Sequence, residues 1–363
     1  MRRPARWKTA AVAGAVLAIL GFTGGLTRSA AAVKVAPTQH VLLISVDGLH
    51  ASDLSQCEAN SECPNLANLA NFGTTYSNAH TSRPSDSAPG LMALATGGDP
   101  KLTGVYYDDS YDRTMFTPPA QTANGIQNCT GTPGVETQYF ENVDVGAPTF
   151  SNPNGTRPVM NAALDQAQFA YAKVNGKCVP VAPNDFLRTN SIFSVAHDAG
   201  LYTAWADKHP VYNAQVAGHG TPNSVDDPFN TEINADIIPA TLTDTRGTLI
   251  TFPHPNPTGD PNGYFITDFV ENTEAYDHIK VDGVLNQIDG MNSAGTKAAP
   301  VPAIFGMNFQ TVSVAQKLVD PLKSCKRNTG GGCDPSYFPG GYEPGTFQFT
   351  PQLSNGLQWV DQE

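Results

Sequence analysis

The sequence predicts an α/β fold with a mostly parallel central sheet, on three observations. The run "HVLLISVDG" at 40–48 is short, apolar and rich in β-branched residues near its end, and an Asp-Gly turn closes it, as is typical of a buried parallel strand. Segments 63–73 and 88–98 carry apolar residues at helical spacing and end in glycine. The 33 glycines and 29 prolines indicate many turns rather than a helical bundle. Functional groups are therefore expected at the carboxyl ends of the strands.

Other elements follow along the chain. Residues 99–190 are rich in Pro, Asn, Gly and Thr and are interpreted as irregular, with a loop-rich insertion over about 113–190. Further predicted elements are a strand over 74–81, a helix and then a strand ending at Asp207 within 191–210, a helix over 273–291, a core strand within 301–314 that leads into a loop, and a helix that begins near 350.

The N-terminus has the pattern of an export signal over 1–32. A basic start, "MRRPARWK", precedes the apolar run "TAAVAGAVLAILGFTGG" and a small-residue cleavage site after Ala32. The run is short and interrupted by glycine, so no stable membrane span is expected after cleavage, although an uncleaved anchor is an alternative. Arg2 and Arg3 also fit a twin-arginine signal, whose remaining motif is lacking. A secreted protein with one domain over 38–363 is predicted.

The cysteines agree with an oxidising compartment. All six follow the signal, and their even number indicates disulfides. No CxxC pair is present, which argues against a zinc–thiolate site. Fifteen pairings are possible for six cysteines. Local spacing favours Cys57–Cys63 and Cys325–Cys333, and by default Cys129–Cys178.

The formal net charge of −12 argues against a nucleic-acid backbone as partner, because no basic stripe is present. It does not exclude a small substrate that carries phosphate. A bound cation reverses the sign of the local field.

Two residues are the main candidates for chemistry. Asp47 ends the first strand, where it serves either as a turn residue or as a metal ligand. Ser87 precedes the apolar helix in "SRPSDSAPGLMALATGG", where it serves as a helix cap, as a nucleophile, or as both. Unpaired N–H groups at that helix terminus would suit a bound phosphate, and a metal would activate the hydroxyl.

These residues carry a resemblance to a known family. "HVLLISVDGLHASDL" and "CPNLANLANFGTTYSNAHTSRPSDSAPGLMALATGGDPKLTGVYYDDSYD" resemble the opening of the type I phosphodiesterase / nucleotide pyrophosphatase family of the alkaline phosphatase superfamily. The resemblance implies an alkaline-phosphatase-like sheet with helices on both faces. It also implies that Asp47 is the first metal ligand and that Ser87 is the nucleophile and binds metal. Two zinc ions are expected, with manganese or calcium as alternatives.

The resemblance further implies the reaction. The expected substrate is a small phosphate ester, either a phosphodiester or a nucleotide pyrophosphate, and Ser87 would form a phosphoseryl intermediate. The family usually carries an Asn about twenty residues beyond the nucleophile, which helps to hold phosphate, and Asp108 occupies that position here. Asp108 is therefore the candidate substrate-binding residue, although a carboxylate repels phosphate unless it is protonated or metal-bound. His50 is a candidate neighbour of the Asp47 ligand.

The later metal ligands of the family lack clear counterparts. The family's Asp-x-x-x-His pattern falls on Asn308 and Val312. Two other pairs are weighed as substitutes, Asp207 with His209 at a strand end and Asp277 with His278 inside a helix. The second pair is interpreted as two solvated side chains, and His219 as a loop histidine.

The last residues of the sequence lead to alternative predictions of function. "QLSNGLQWVDQE" resembles the helix that precedes the family's Asp-His-Gly metal motif, so the domain is expected to be partial and truncated at its C-terminus. An inactive secreted binding protein on the same scaffold is one alternative function. A sulfatase-like hydrolase is another, but its nucleophile motif requires Arg at position 91, where this chain has Leu.

Overall fold

A computed structural model of the chain describes residues 39–138, 144–145, 163–220, 223–235, 237–260, 263–318 and 340–363. The predicted signal segment and the predicted Cys325–Cys333 pair lie outside these ranges.

Strands and helices alternate along the described chain. The strands are β1 (Val41–Val46), β2 (Asp109–Asp112), β3 (Val135–Gln138), β4 (Asp144–Val145), β5 (Ala163–Leu164), β6 (Tyr171–Val174), β7 (Lys177–Pro180), β8 (Ala204–Asp207), β9 (Asp227–Asn230), β10 (Thr241–Thr243), β11 (Leu249–Thr251) and β12 (Ile304–Phe309). The helices are α1 (Ala51–Ala59), α2 (Pro64–Phe72), α3 (Ser87–Thr96), α4 (Pro100–Thr103), α5 (Ile192–Asp198), α6 (Pro210–Val216), α7 (Val270–Ile288), α8 (Thr311–Lys317) and α9 (Pro351–Gln362).

The main sheet is parallel and has the strand order β1-β12-β8-β9. Val41 pairs with Ile304 and Val46 with Phe309, so β1 and β12 end level with each other. This sheet confirms the predicted α/β class. In the described chain β1 lies at an edge of the sheet, with the side chains of Leu42 and Ile44 nearly half exposed. The strand is parallel as predicted, but the prediction that it is buried is wrong.

Helices pack on both faces of this sheet, as predicted. Ala204 and Ala206 of β8 contribute to a core that also contains buried residues of α7, α8 and α9. Trp205, which lies between them, points to the opposite face and joins a core with residues of α3, α5 and α6. Both faces are thus buried, which is why β8 is apolar up to its last residue.

Two local predictions are wrong. Residues 74–81 form no strand; they run as turns and extended chain with Tyr76 exposed, because the segment has no apolar side to bury. The segment after β12 is helix α8 rather than a loop. Helix α1 was not anticipated from the sequence, and its low content of apolar residues explains why.

Two of the predicted disulfides are present. Cys57–Cys63 links α1 to the start of α2, and Cys129–Cys178 ties the chain that follows β2 to strand β7. The insertion that the sequence placed at about 113–190 contains the short antiparallel pairs β4 with β5 and β6 with β7, and its strand β3 pairs with β2, which lies just before it. Among the described helices, none combines the length and the apolar character that a membrane crossing requires.

The turn after β1 depends on Gly48. Its φ is +77°, in the left-handed region, and a Cβ there would lie 2.6 Å from Cα of Ser313 in α8. Only glycine combines this conformation with so close a backbone approach. The direction of the Asp47 side chain is therefore fixed by the packing of α8 on the turn.

We predict that Gly48→Ala lowers the free energy of unfolding by roughly 3 kcal/mol, since backbone strain of about 1 kcal/mol adds to a clash with the main chain. Gly97→Ala is the matched control, because Gly97 has φ +70° and open space around its Cβ position. It should cost only about 1 kcal/mol. Urea unfolding measures both variants, and equal losses would contradict the proposed clash.

Candidate active site

The carboxyl ends of three parallel strands meet at one edge of the sheet. Asp47 follows β1, Asp207 ends β8, and Asn308 lies one residue before the end of β12. The main-chain N–H of Asp47 donates to the carbonyl of Phe309 at 2.9 Å, which holds the turn against β12. The amide of Asn308 lies 3.4 Å from the carboxylate of Asp207. The sheet therefore brings together residues that are distant in sequence, as parallel topology requires.

Helix α3 presents its first residue to this edge. Its N-cap is Asp86, whose carboxylate accepts the N–H of Ser87 at 3.1 Å. The possibility that Ser87 itself caps the helix is therefore wrong. Its hydroxyl is free for another contact, and Oγ donates to Oδ2 of Asp47 at 3.1 Å. The two residues singled out from the sequence are thus in direct contact.

Lys208 is the residue that the sequence analysis missed. Its Nζ lies 3.2 Å from Oδ2 of Asp47 and 3.2 Å from Oγ of Ser87, and its side chain is only 7 % exposed. Lys208 follows directly on β8, between Asp207 and His209. Its position one residue after a strand end, in "ADKHP", was the signal that could have identified it.

The charge on Asp47 is stabilised by these neighbours. Burial by itself would raise the pKa of the Asp47 carboxyl, but the ammonium groups of Lys208 and Lys317 and the hydrogen bonds from Lys208 and Ser87 hold that pKa below its ordinary value. Asp47 is therefore a carboxylate at neutral pH. Ser87 Oγ lies between a hydrogen-bond acceptor and a positive charge.

Asp207 and His209 point to other partners. Asp207 is fully buried and accepts hydrogen bonds at 2.8 Å from the indole of Trp205 and from the N–H of Lys208. Burial raises the pKa of Asp207, and the charge of Lys280 offsets part of that effect. His209 pairs with Glu232 at 3.0 Å in a buried contact.

Asp108 lies against the start of α3. Its Oδ1 accepts the N–H of Ala88 at 2.6 Å, and its own N–H donates to Asp86 at 3.1 Å. The sequence pattern predicts unpaired N–H groups at this helix terminus. Instead, the N–H groups of Ser87 and Ala88 are both taken by carboxylates, and Pro89 has none. Attraction for an anion must therefore come from side-chain cations.

A cavity of about 580 Å³ opens over these groups. Asp47, Ser87, Lys208 and Lys317 all line it, so its wall carries both the hydroxyl and two ammonium groups. His50 lines it as well, and its Nδ1 lies 2.9 Å from Asp53. These dimensions suit a small molecule rather than a polymer surface.

The remaining candidates lie elsewhere. The interpretation of Asp277 as a solvated side chain is wrong, because Asp277 is fully buried. It forms an ion pair with Lys280 at 2.8 Å. Its carboxylate also accepts the N–H groups of Gln310 and Thr311 at the start of α8. Asp277 therefore supports the helix that packs on the Asp47 turn. Neither His278 nor His219 lines the cavity.

An α/β sheet with a polar cluster and a cavity at its carboxyl edge defines a broad class of enzymes and small-molecule binding proteins. A sequence profile described as type I phosphodiesterase / nucleotide pyrophosphatase matches residues 41–279. This match covers more than half of the chain, which therefore belongs to that family, as the resemblance implied.

The comparisons with solved structures and with curated sequences show only weak similarity or none. Two structures of the phosphonoacetate hydrolase of Sinorhizobium meliloti 1021, in complex with phosphonoacetate and with phosphonoformate, are similar at 13 % identity with TM-scores of 0.40 and 0.41. Each alignment covers 90 % of this chain and 52 % of the solved chain, so this chain spans about half the length of those proteins. No curated protein sequence gives a significant match.

Members of this family are typically metal-dependent. A metal ion at the cavity would need several carboxylate or imidazole ligands close to one another. In the described part of the chain, Asp47 belongs to no group of three His, Cys, Asp or Glu ligand atoms that could share an ion. The ammonium group of Lys208 instead contacts both predicted ligand atoms, on Asp47 and Ser87. The described residues therefore do not fit the predicted zinc, manganese or calcium pair.

We predict that Lys208→Met destabilises the protein by roughly 3 kcal/mol at pH 7, because it leaves the Asp47 carboxylate buried beside a neutral side chain. The folded-state pKa of Asp47 lies below its ordinary value of 3.8, so the stabilisation is complete above that pH and is lost as the pH falls through the folded-state pKa. Urea unfolding of wild type and variant at pH 7 and in acid measures this.

The double variant Asp47→Asn/Lys208→Met is the control for that experiment. It removes both charges, so it should recover most of the lost stability. Lys101→Met, at an exposed lysine, gives the baseline for losing a charge. A loss in Lys208→Met no larger than that baseline would contradict the buried ion pair.

Proposed function

We propose that this chain is part of a secreted hydrolase of phosphate esters, with a phosphodiester or nucleotide pyrophosphate as substrate and Ser87 as nucleophile. The observation that carries the proposal is the placement of Ser87 Oγ, 3.1 Å from Asp47 Oδ2 and 3.2 Å from Lys208 Nζ. Membership of the type I phosphodiesterase / nucleotide pyrophosphatase family supports the reaction class. The two disulfides support an oxidising compartment.

The contacts of Ser87 support an attack by its hydroxyl. The hydrogen bond to Asp47 orients the Oγ lone pairs, and Asp47 Oδ2 is the nearest acceptor for the proton as the new P–O bond forms. Since the pKa of Asp47 is low, Asp47 is a weak base, and the charge of Lys208 has the larger effect on the oxyanion that develops. The bond from phosphorus to the leaving oxygen then breaks, which leaves a phosphoseryl group for water to hydrolyse.

The cavity supports an anionic substrate of small size. The chain is acidic overall, yet Lys208 and Lys317 both face the cavity beside Ser87. The charge of Lys208 is partly neutralised by Asp47, so Lys317 is the better candidate to attract the substrate phosphate.

A second candidate function is binding without catalysis. Asp86 and Asp108 take up the helix N–H groups beside Ser87, and their charges disfavour a phosphate there. On this alternative the chain is a secreted binding protein that retains the scaffold of the family. The two functions differ in whether Ser87 turns over a substrate.

We predict that Ser87→Ala lowers kcat for bis(p-nitrophenyl) phosphate by roughly 10³-fold or more, because it removes the hydroxyl that contacts both Asp47 and Lys208. Release of p-nitrophenol measures the rate, and intact-protein mass after acid quench detects the p-nitrophenylphosphoryl group that remains on Ser87. Ser55→Ala is the control, since the Ser55 hydroxyl donates to a carbonyl of its own exposed helix. Unchanged turnover in Ser87→Ala would end the nucleophile assignment.

We also predict that Asp108→Asn lowers KM for an anionic substrate several-fold. The variant removes a negative charge next to Ser87, while the amide oxygen still accepts the N–H of Ala88. Asp109→Asn makes the same change of charge one residue away, on β2, and should leave KM within about twofold. Steady-state kinetics compare the two variants; a higher KM in Asp108→Asn would mean that the carboxylate itself takes part in binding.

A further inference from the structure

A second group of titratable side chains lies apart from the cavity, between α7 and the β10–β11 hairpin. Asp244 lies in the hairpin turn, and His278 and Asp282 lie one helical turn apart on α7. One ligand atom from each of the three lies within 4.8 Å of the others. None of the three lines the cavity over Ser87. We call these three residues the α7 cluster.

The two carboxylates of the α7 cluster are buried and aimed at each other. Asp244 is 2 % exposed, and its Oδ1 is fixed by the N–H groups of Arg246 and Thr248, both at 2.8 Å. The Asp282 side chain is 6 % exposed. The Oδ2 atoms of both residues are buried with no hydrogen-bond donor among the described residues. Two buried acceptors without a donor are costly unless a proton or a cation lies between them.

His278 has the orientation of a metal ligand. Its Nδ1 lies 3.0 Å from Oε1 of Glu363, and a carboxylate partner there holds the proton on Nδ1. The lone pair is then on Nε2, which lies 3.8 Å from Oδ2 of Asp282. A carboxylate that orients an imidazole from its far nitrogen is the usual arrangement behind a metal-bound histidine.

Arg246 lies nearby but does not donate to the Oδ2 atoms of Asp244 and Asp282. The Nε atom of Arg246 lies 3.9 Å from Oδ1 of Asp282, whereas Oδ2 is the atom that lacks a donor among the described residues. Its NH1 binds Asp289 at 2.8 Å and Asn286 at 3.2 Å.

We propose that the α7 cluster binds a divalent cation of the zinc or manganese type, through Asp244 Oδ2, Asp282 Oδ2 and His278 Nε2. One imidazole and two carboxylates form a donor set that such ions accept. Ligands at about 2.0–2.2 Å from one ion lie at most about 4.4 Å apart. The three ligand atoms already lie within 4.8 Å of one another, so an ion would draw them together by a few tenths of an ångström at most. The bound ion would tie α7 to the hairpin and, through Glu363, to the end of α9.

The test uses the chain stripped with a chelator and then given ZnCl2 or MnCl2. We expect about one ion per chain at this site by elemental analysis, and a rise in Tm of roughly 5 °C at saturation. Asp282→Asn and His278→Gln should each abolish most of that rise. Asp289→Asn is the matched control, because Asp289 caps the C-terminus of the same helix, is exposed and pairs with Arg246. It should keep the rise in full.

Two results would overturn the proposal. If neither ion binds the wild-type chain or shifts its Tm, the two carboxylates share a proton instead. If the Tm rise persists in both Asp282→Asn and His278→Gln but is lost in Asp47→Asn, the ion binds in the cavity. His278→Gln changes a half-buried surface residue, so it keeps the test decisive if Asp282→Asn does not fold. Neither result depends on the activity proposed for Ser87.

Discussion

The parallel pairing of β1, β12 and β8 is the constraint on which the site depends. Parallel strands end on the same side of a sheet, so their terminal residues must meet there. The register of β1 against β12 brings the Asp47 turn level with Phe309, and a shift of one residue would turn the inward side chains to the other face. The contact between Asp47 and Lys208, which are 161 residues apart in sequence, therefore follows from backbone pairing before any side chain is considered.

Charge balance then decides what the site does chemically. The carboxylate of Asp47 is largely but not fully buried, and the ammonium of Lys208 compensates for its lost hydration. The same ammonium contacts the hydroxyl of Ser87, so a single cation stabilises both the resting carboxylate and a developing alkoxide. The helix terminus contributes less than its geometry suggests, because Asp86 and Asp108 already accept its first N–H groups. An anion entering the cavity meets lysine side chains rather than the backbone donors of a helix.

Helix α7 links the two polar regions of the molecule. On its buried side, Asp277 holds the start of α8, and α8 in turn packs against Gly48 and fixes the turn that carries Asp47. On its other side lies the α7 cluster, next to the β10–β11 hairpin. Its 19 residues serve both purposes, since neighbouring positions of one helix, such as Asp277 and His278, point to different faces. A change in the packing of α7 would therefore alter the cavity through α8.

The sequence alone determined the features that depend on neighbours along the chain. The apolar run of β1, the spacing of α2 and α3, and the short loop between Cys57 and Cys63 are local patterns, and the structure contains all of them. The roles of Asp86 as cap and of Lys208 as the partner of Asp47 and Ser87 were decided only by tertiary structure. A lone lysine after a strand has no periodicity to mark it, and which of two adjacent polar residues caps a helix depends on what the other one contacts. Long-range pairing supplies those contacts, and no local pattern encodes it.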